Sequence, residues 1–132
     1  MIGLDTNVVL RYLVRDDPWQ LSRAAHLIER KLSAEEPGFV SLVVTAEIVW
    51  NLLSNYEYSR EELIEALDTL LSVESLLFQN EREISEALAA MRVGTASFPD
   101  ALISALSTNA GCTTTYTFDR KASRSPGFKL LS

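Results

Sequence analysis

Four acidic residues stand beside apolar runs that are typical of buried strands or helices. Asp5 follows "MIGL" and Asp119 follows "TTTYTF", whereas Glu47 lies within "TAEIVW" and Asp100 within "FPDALI". Carboxylate oxygens are the ligands that hard divalent cations such as Mg²⁺ and Mn²⁺ prefer. If the fold brings these residues together, they could form a metal site, so the elements that position them have to be identified first.

Short apolar runs alternate with amphipathic segments along the chain. We predict strands at 1–4, 39–41, 74–80 and 112–118, with a fifth at 128–132. Helices are predicted at 8–14, 18–32, 45–56, 59–71, 81–94 and 99–111 from apolar periodicity, caps and breakers. This alternation predicts an α/β fold, in which a parallel sheet of four to five short strands is covered by helices on both faces. Without repeats or linkers, residues 1–132 are predicted to form a single domain.

Several side chains have a predicted environment. Thr6 or Asn7 is expected to cap the first helix, and Ala46, Val49, Trp50 and Leu53 are expected to form the buried face of the third. We expect Trp19 and Trp50 to be packing residues and Cys112 to be a small buried residue. His26 falls on the polar side of its helix and is expected at the surface.

The predicted elements deliver the four acids to one edge of the sheet. In open α/β sheets, ligands bind beyond the carboxyl ends of the strands. Asp5 and Asp119 end the first and fourth strands, Glu47 lies in the first turns of the helix after the second strand, and Asp100 begins the helix before the fourth. Each acid could instead be a helix cap, a dipole partner, a turn residue or half of a surface ion pair. A cluster of all four, however, would repel itself without a cation.

Such a cluster suits hydrolysis of a phosphodiester. A bound divalent ion lowers the pKa of its water and neutralises charge on the non-bridging oxygens, so no histidine base is needed. The sequence contains one histidine and one cysteine, too few for a structural zinc site. A G-x-S-x-G elbow, a Walker A loop and a G-x-G-x-x-G motif are all missing from it.

The composition is that of an ordinary globular domain with an acidic balance. The net charge is −6, but residues 101–132 carry a local balance of +3, which could hold a polyanion. The first residues lack the basic region of a targeting peptide, and no run of about 18 apolar residues predicts a membrane span. The single cysteine excludes an internal disulfide, so we expect a cytoplasmic protein without a membrane partner.

The motifs "LDTNVVLRYL", "TAEIVWNL", "FPDALI" and "TFDR", in this order, resemble those of the PIN-domain ribonucleases, and among them the VapC-type toxins of toxin–antitoxin pairs. The similarity runs over essentially the whole chain. It implies a three-layer α/β/α sandwich and metal-dependent hydrolysis of RNA, often a tRNA or ribosomal RNA. It also implies a homodimer and a co-encoded antitoxin, which docks a helical, often arginine-bearing tail near the acidic cleft.

The resemblance also assigns residues. Asp5, Glu47, Asp100 and Asp119 match the acidic catalytic site, with Asp5 and Asp100 as primary ligands of Mg²⁺ or Mn²⁺ and the other two completing the cage or positioning water. Thr6, Asn7 and Thr117 match the supporting positions beside the first and last acids. Arg11 and Arg120 could contact phosphate or be plain surface charges. Many relatives have a further Asp where this chain has Ser97, so its metal affinity or stoichiometry could differ.

Two alternatives remain open. An aspartyl-phosphate phosphatase also begins with a strand-end Asp, but it typically has a second acid two residues later, where this chain has Asn7. A non-catalytic PIN-like interaction module would have lost one or more of the acids, and all four are present.

Overall fold

The computed structural model describes residues 1–131 and shows five strands and six α-helices. In chain order they are β1 (Ile2–Gly3), α1 (Thr6–Val14), α2 (Pro18–His26), β2 (Gly38–Val40), α3 (Leu42–Ser54), α4 (Arg60–Leu71), β3 (Leu76–Phe78), α5 (Glu81–Val93), α6 (Phe98–Asn109), β4 (Thr115–Thr117) and β5 (Phe128–Leu130). The predicted elements and the α/β class are confirmed. The part of the fifth predicted strand at Ser132 lies outside the described residues.

The strands divide into two sheets, each within one of two compact units. The first unit is Met1–Glu81 and the second begins at Arg82. β1, β2 and β3 form a parallel sheet in that order in the first unit, and β4 pairs with β5, also in parallel, in the second. The predicted parallel pairing is therefore correct. The strands were expected in a single sheet, but their hydrogen bonds form two sheets, because strands of two or three residues do not specify their partners.

Backbone pairing in the first unit aligns the carboxyl ends of its three strands. Gly3 pairs with Phe39, which in turn pairs with Leu77. Just beyond the strands, the Gln79 side chain accepts a hydrogen bond from the Leu42 backbone N–H at 2.9 Å, which ties the end of β3 to the start of α3. The residues that follow β1 and β2 are thus held at one edge of this sheet.

Local caps explain where most helices begin. α2 starts at Pro18 and is capped by Asp17, and α4 has the predicted capping box between Ser59 and Glu62. α2 is shorter than predicted, because it ends at His26 and passes into a π-helical turn over Leu27–Lys31. The chain then returns to β2 at Gly38, where a Cβ would lie 2.6 Å from a methyl carbon of Leu4.

The buried face of α3 differs from the predicted one. The buried residues are Val44, Thr45, Ile48, Val49 and Leu52. Of the predicted face only Val49 is buried, while Ala46, Trp50 and Leu53 are exposed. This helix is apolar almost all round, so its periodicity did not identify the face that packs on α1 and α4.

The burial predictions for both tryptophans and for the cysteine were wrong. Trp19 and Trp50 are 65% and 62% exposed, and Cys112 is exposed because β4 begins only at Thr115. His26 lies at the surface, as predicted. Among residues 1–131, no helix is both long and apolar enough to cross a membrane.

Candidate functional site

Thr6 connects the two predicted site acids of the first unit. Its backbone N–H donates to Oδ1 of Asp5 at 2.7 Å, and its hydroxyl donates to Oε1 of Glu47 at 3.1 Å. Thr6 is itself buried, at 8% exposure, whereas both carboxylates are exposed. The Thr6 hydroxyl therefore joins the start of α1 to the second turn of α3, and Thr6 as a whole contacts two acids that are 42 residues apart in sequence.

Asp5 is the N-cap of α1. Its backbone is extended, and Oδ1 accepts the Thr6 N–H, so the expectation that Thr6 or Asn7 is the cap was wrong. The reason is that β1 ends at Gly3, which leaves Asp5 rather than Thr6 in the non-helical conformation that a cap requires. Within residues 1–131, Oδ2 of Asp5 accepts no hydrogen bond, so one oxygen caps the helix and the other remains accessible to a ligand.

Asn7 follows Thr6 in the first turn of α1 and Arg11 lies one turn later, and both line a cavity of about 300 Å³ between α1 and α2. Arg11 is half-buried, and it donates from Nε to Gln20 Oε1 at 2.6 Å and from Nη1 to the Tyr56 hydroxyl at 2.9 Å. The hydrogen bond to Tyr56 is the main reason that the pKa of Arg11 lies above its ordinary value. Arg11 is therefore a fixed cation that also ties α1 to the end of α3.

Asp100 and Ser97 lie at the start of α6 in the second unit. Ser97 is the N-cap, and its hydroxyl accepts a hydrogen bond from the Asp100 N–H at 3.3 Å. The residue that replaces a frequent family Asp thus has a local structural role in this chain. The Asp100 side chain is half-buried and lines a cavity of about 200 Å³, together with Ser104 and Phe128.

Asp119 follows β4, and its carboxylate organises the next turn. Oδ1 accepts hydrogen bonds from the N–H groups of Lys121 at 2.8 Å and Ala122 at 3.3 Å, ahead of a 3₁₀ turn over Ala122–Arg124. The Thr117 hydroxyl accepts from the Asp119 N–H at 3.0 Å, which holds the carboxylate at the end of the strand. Arg120 is exposed, and no ion pair involves it among residues 1–131.

The donor chemistry of the Asp5–Thr6–Glu47 bridge suits a hard divalent ion. Mg²⁺ commonly binds through one or two carboxylates while it retains water and contacts substrate phosphates, and the bridge holds two exposed carboxylates. Within the described residues, no group of three or more His, Cys, Asp and Glu side chains is arranged to hold a metal ion. The joint site of Asp5, Glu47, Asp100 and Asp119 therefore stays a prediction.

Sequence reasoning missed two residues that contribute to the first unit's surface. Trp19 and Arg23 are one helical turn apart on α2, and the Arg23 guanidinium carbon lies 4.5 Å from the centroid of the Trp19 ring. The i, i+4 spacing of an aromatic and an arginine was visible in "PWQLSR". The exposure of this pair was not visible in the sequence, because it depends on the turn made by residues 15–17.

Comparisons with protein families, curated proteins and solved structures show what the chain is similar to. The chain matches the family model described as "PIN domain" over residues 2–127, a range that includes parts of both units. No curated protein matches it. Among solved structures, it is similar to one described as VapBC2 from Rickettsia felis bound to a DNA fragment from their promoter. The identity is 18% and the TM-score 0.39, over 99% of this chain and 98% of that chain.

Proposed function

The chain belongs to the PIN-domain family, whose members are generally nucleases, and from this premise we propose that it is a metal-dependent endoribonuclease. It would act in the cytoplasm as the toxin of a type II toxin–antitoxin pair. The observation that carries the proposal is the Thr6 bridge, since it holds two exposed carboxylates at the carboxyl edge of a parallel sheet. The order of the four acidic motifs supports the same reaction.

The proposed roles follow from which carboxylate oxygens are accessible. Asp5 keeps Oδ2 for a Mg²⁺ or Mn²⁺ ion while Oδ1 caps α1, and Asp119 combines hydrogen bonds to the following turn with a ligand role. Asp100 is the second primary ligand. Thr6 is a positioning residue, because its hydroxyl restricts the rotamer of Glu47. When bound, the metal supplies a more acidic water and neutralises charge on the scissile phosphate.

The proposed partners are RNA, an antitoxin and a second copy of the chain. The overall charge of −6 suits a cationic antitoxin tail near the acids. On α3, the exposed Val43, Ala46, Trp50 and Leu53 are spaced 3, 4 and 3 residues apart, which is the spacing of a helix–helix interface. This stripe contains no charge, so it could pair with itself across a two-fold axis in a homodimer.

Expression in cells without an antitoxin tests the proposed function. We expect the wild type to arrest growth and degrade cellular RNA, and Asp5→Asn to do neither. The asparagine side chain retains Oδ1, so it can still accept the Thr6 N–H and cap α1, while it loses the charge that a cation requires. Asp17→Asn is the matched control, because Asp17 also caps a helix through Oδ1 and belongs to no proposed metal site.

Two results would overturn this proposal. One is equal growth arrest by the wild type and by Asp5→Asn at equal protein levels. The other is an absence of RNA cleavage by the purified wild type with either Mg²⁺ or Mn²⁺ across a panel of tRNA and ribosomal RNA. A beryllofluoride adduct of the Asp5 carboxylate, which mimics an aspartyl phosphate, would instead support the phosphatase alternative.

A further inference from the structure

Two cavities in the first unit share a wall made by Trp19 and Arg23. The first lies between α1 and α2, and the second is lined by these two residues with Ser22 and His26; each has a volume of about 300 Å³. Because the guanidinium of Arg23 is stacked on the Trp19 ring, the two side chains form one ridge on α2. We call this pair the Trp19–Arg23 ridge.

The first cavity has apolar lining from Val8, Ala24 and Leu27, and the charged side chains that line the two cavities are arginines. Arg11 and Gln20 line the first cavity and His26 lines the second, and no Asp or Glu lines either one. Arg11 shares its charge with Asp16, whose Oδ1 lies 3.6 Å from Nη1. No ion pair involves Arg23 among residues 1–131, so its charge is available to an external anion.

We propose that the Trp19–Arg23 ridge is a binding site for single-stranded RNA. A base stacks on Trp19, and the neighbouring phosphates contact the guanidinium groups of Arg23 and Arg11. Exposed aromatic rings combined with cationic side chains are the means by which proteins bind single strands without reading a sequence. A cavity of about 300 Å³ is at the lower end of the range for ligand pockets, which suits a single nucleotide better than a folded segment.

The position of the ridge relative to the candidate acids supports this proposal, which rests on the proposed ribonuclease function. Asn7 lines the first cavity, and it directly follows Thr6, the residue that bridges Asp5 and Glu47. A strand with one phosphate at the acids could therefore place a nearby nucleotide in the first cavity. The ridge would then hold the substrate on one side of the scissile bond.

The test measures binding in EDTA, so that it does not depend on cleavage. The chain has two tryptophans, and in a Trp50→Phe background the fluorescence comes from Trp19 alone. We expect an oligouridylate of eight nucleotides to quench this fluorescence in low salt. Arg23→Ala should weaken binding, because a phosphate loses its cationic contact. The matched control Arg30→Ala changes an exposed arginine of the following turn that lines neither cavity.

A labelled oligonucleotide followed by anisotropy gives an independent measure of affinity. Trp19→Ala should weaken binding, and Trp19→Phe should restore most of it, because phenylalanine keeps a ring on which a base can stack. If saturating RNA leaves Trp19 fluorescence unchanged, or if Arg23→Ala and Arg30→Ala behave alike, the proposal is wrong. Quenching by an oligoglutamate peptide and not by RNA would indicate that the ridge binds an acidic protein segment, and this result would also overturn the proposal.

The same data separate this proposal from the proposed function. RNA binding at Trp19 by a protein that never cleaves RNA would support the ridge and contradict the nuclease. Cleavage that Asp5→Asn abolishes, but that Trp19→Ala and Arg23→Ala leave at the wild-type kcat/KM, would support the nuclease and contradict the ridge.

Discussion

The Thr6 hydroxyl donates a hydrogen bond to Oε1 of Glu47 at 3.1 Å, and this contact joins the first turn of α1 to α3 across 41 positions of sequence. The same residue donates its backbone N–H to Asp5. Thr6 is buried and the two acids are exposed, so one residue contacts both carboxylates, Asp5 through its backbone N–H and Glu47 through its hydroxyl. Predictions for this site follow from that arrangement.

Removal of the Thr6 hydroxyl should reduce catalysis more than stability. In Thr6→Val the backbone N–H still reaches Asp5, but Glu47 loses its donor and becomes free to change rotamer. Partners that orient ligands typically contribute about 10- to 100-fold in activity or metal affinity. We expect a loss of this size in kcat/KM for RNA cleavage, with rescue by Thr6→Ser. Equal activity of Thr6→Val and the wild type would show that the bridge has no positioning role.

Thr45→Val should leave the stability of the protein unchanged or increase it. Thr45 is fully buried, and its hydroxyl has no hydrogen-bond partner. An unsatisfied buried polar group costs roughly 1–3 kcal/mol, and valine has nearly the same shape and helix propensity. Urea unfolding should therefore show an equal or higher free energy of unfolding. A decrease of more than about 1 kcal/mol would mean that the hydroxyl is satisfied in solution.

Two substitutions of Asp119 should separate its stabilisation of the following turn from its proposed role as a metal ligand. Asp119→Asn retains Oδ1 as an acceptor for the N–H groups of Lys121 and Ala122, so thermal unfolding should change little. Asp119→Ala removes the acceptor and should cost about 1 kcal/mol. Both variants should lose RNA cleavage if Asp119 is a ligand. Full activity in Asp119→Asn would show that this residue stabilises the turn and is not a metal ligand.

Ser97 offers a test of the chain's departure from its family. Ser97→Ala should lower the free energy of unfolding by about 1 kcal/mol, because the Asp100 N–H loses its acceptor. Ser97→Asp keeps a cap and places a negative charge at the N-terminus of α6. We expect it to remain as stable as the wild type and to need less Mg²⁺ for half-maximal cleavage. An unchanged or higher Mg²⁺ requirement would show that a carboxylate at position 97 does not contribute to the metal site.

The elements could be predicted from the sequence because their ends carry local chemistry. The Ser59–Glu62 capping box and Pro18 act within one helical turn, and β5 was predicted from a short apolar run. The division into two sheets could not be predicted in this way. Strands of two or three residues contain too little pattern to choose partners, and their pairing depends on tertiary packing.

The candidate site was predictable in its residue types and less so in its details. The residues of the acidic motifs could be identified, but the cap at Asp5 depended on where β1 ends, and the Thr6–Glu47 bond depended on how α1 packs against α3. The exposure of Trp50 depended on which face of an apolar helix is buried. These features arise from contacts between distant segments, which periodicity does not encode.

Cleavage of RNA by the purified protein is the most direct test of the central claim. The wild type should cleave with added Mg²⁺ or Mn²⁺, lose activity in EDTA and regain it when the metal is restored. Asp5→Asn should stay inactive at every metal concentration, although its circular dichroism and melting temperature match those of the wild type. Cleavage that is indifferent to EDTA, or that survives in Asp5→Asn, would contradict the account.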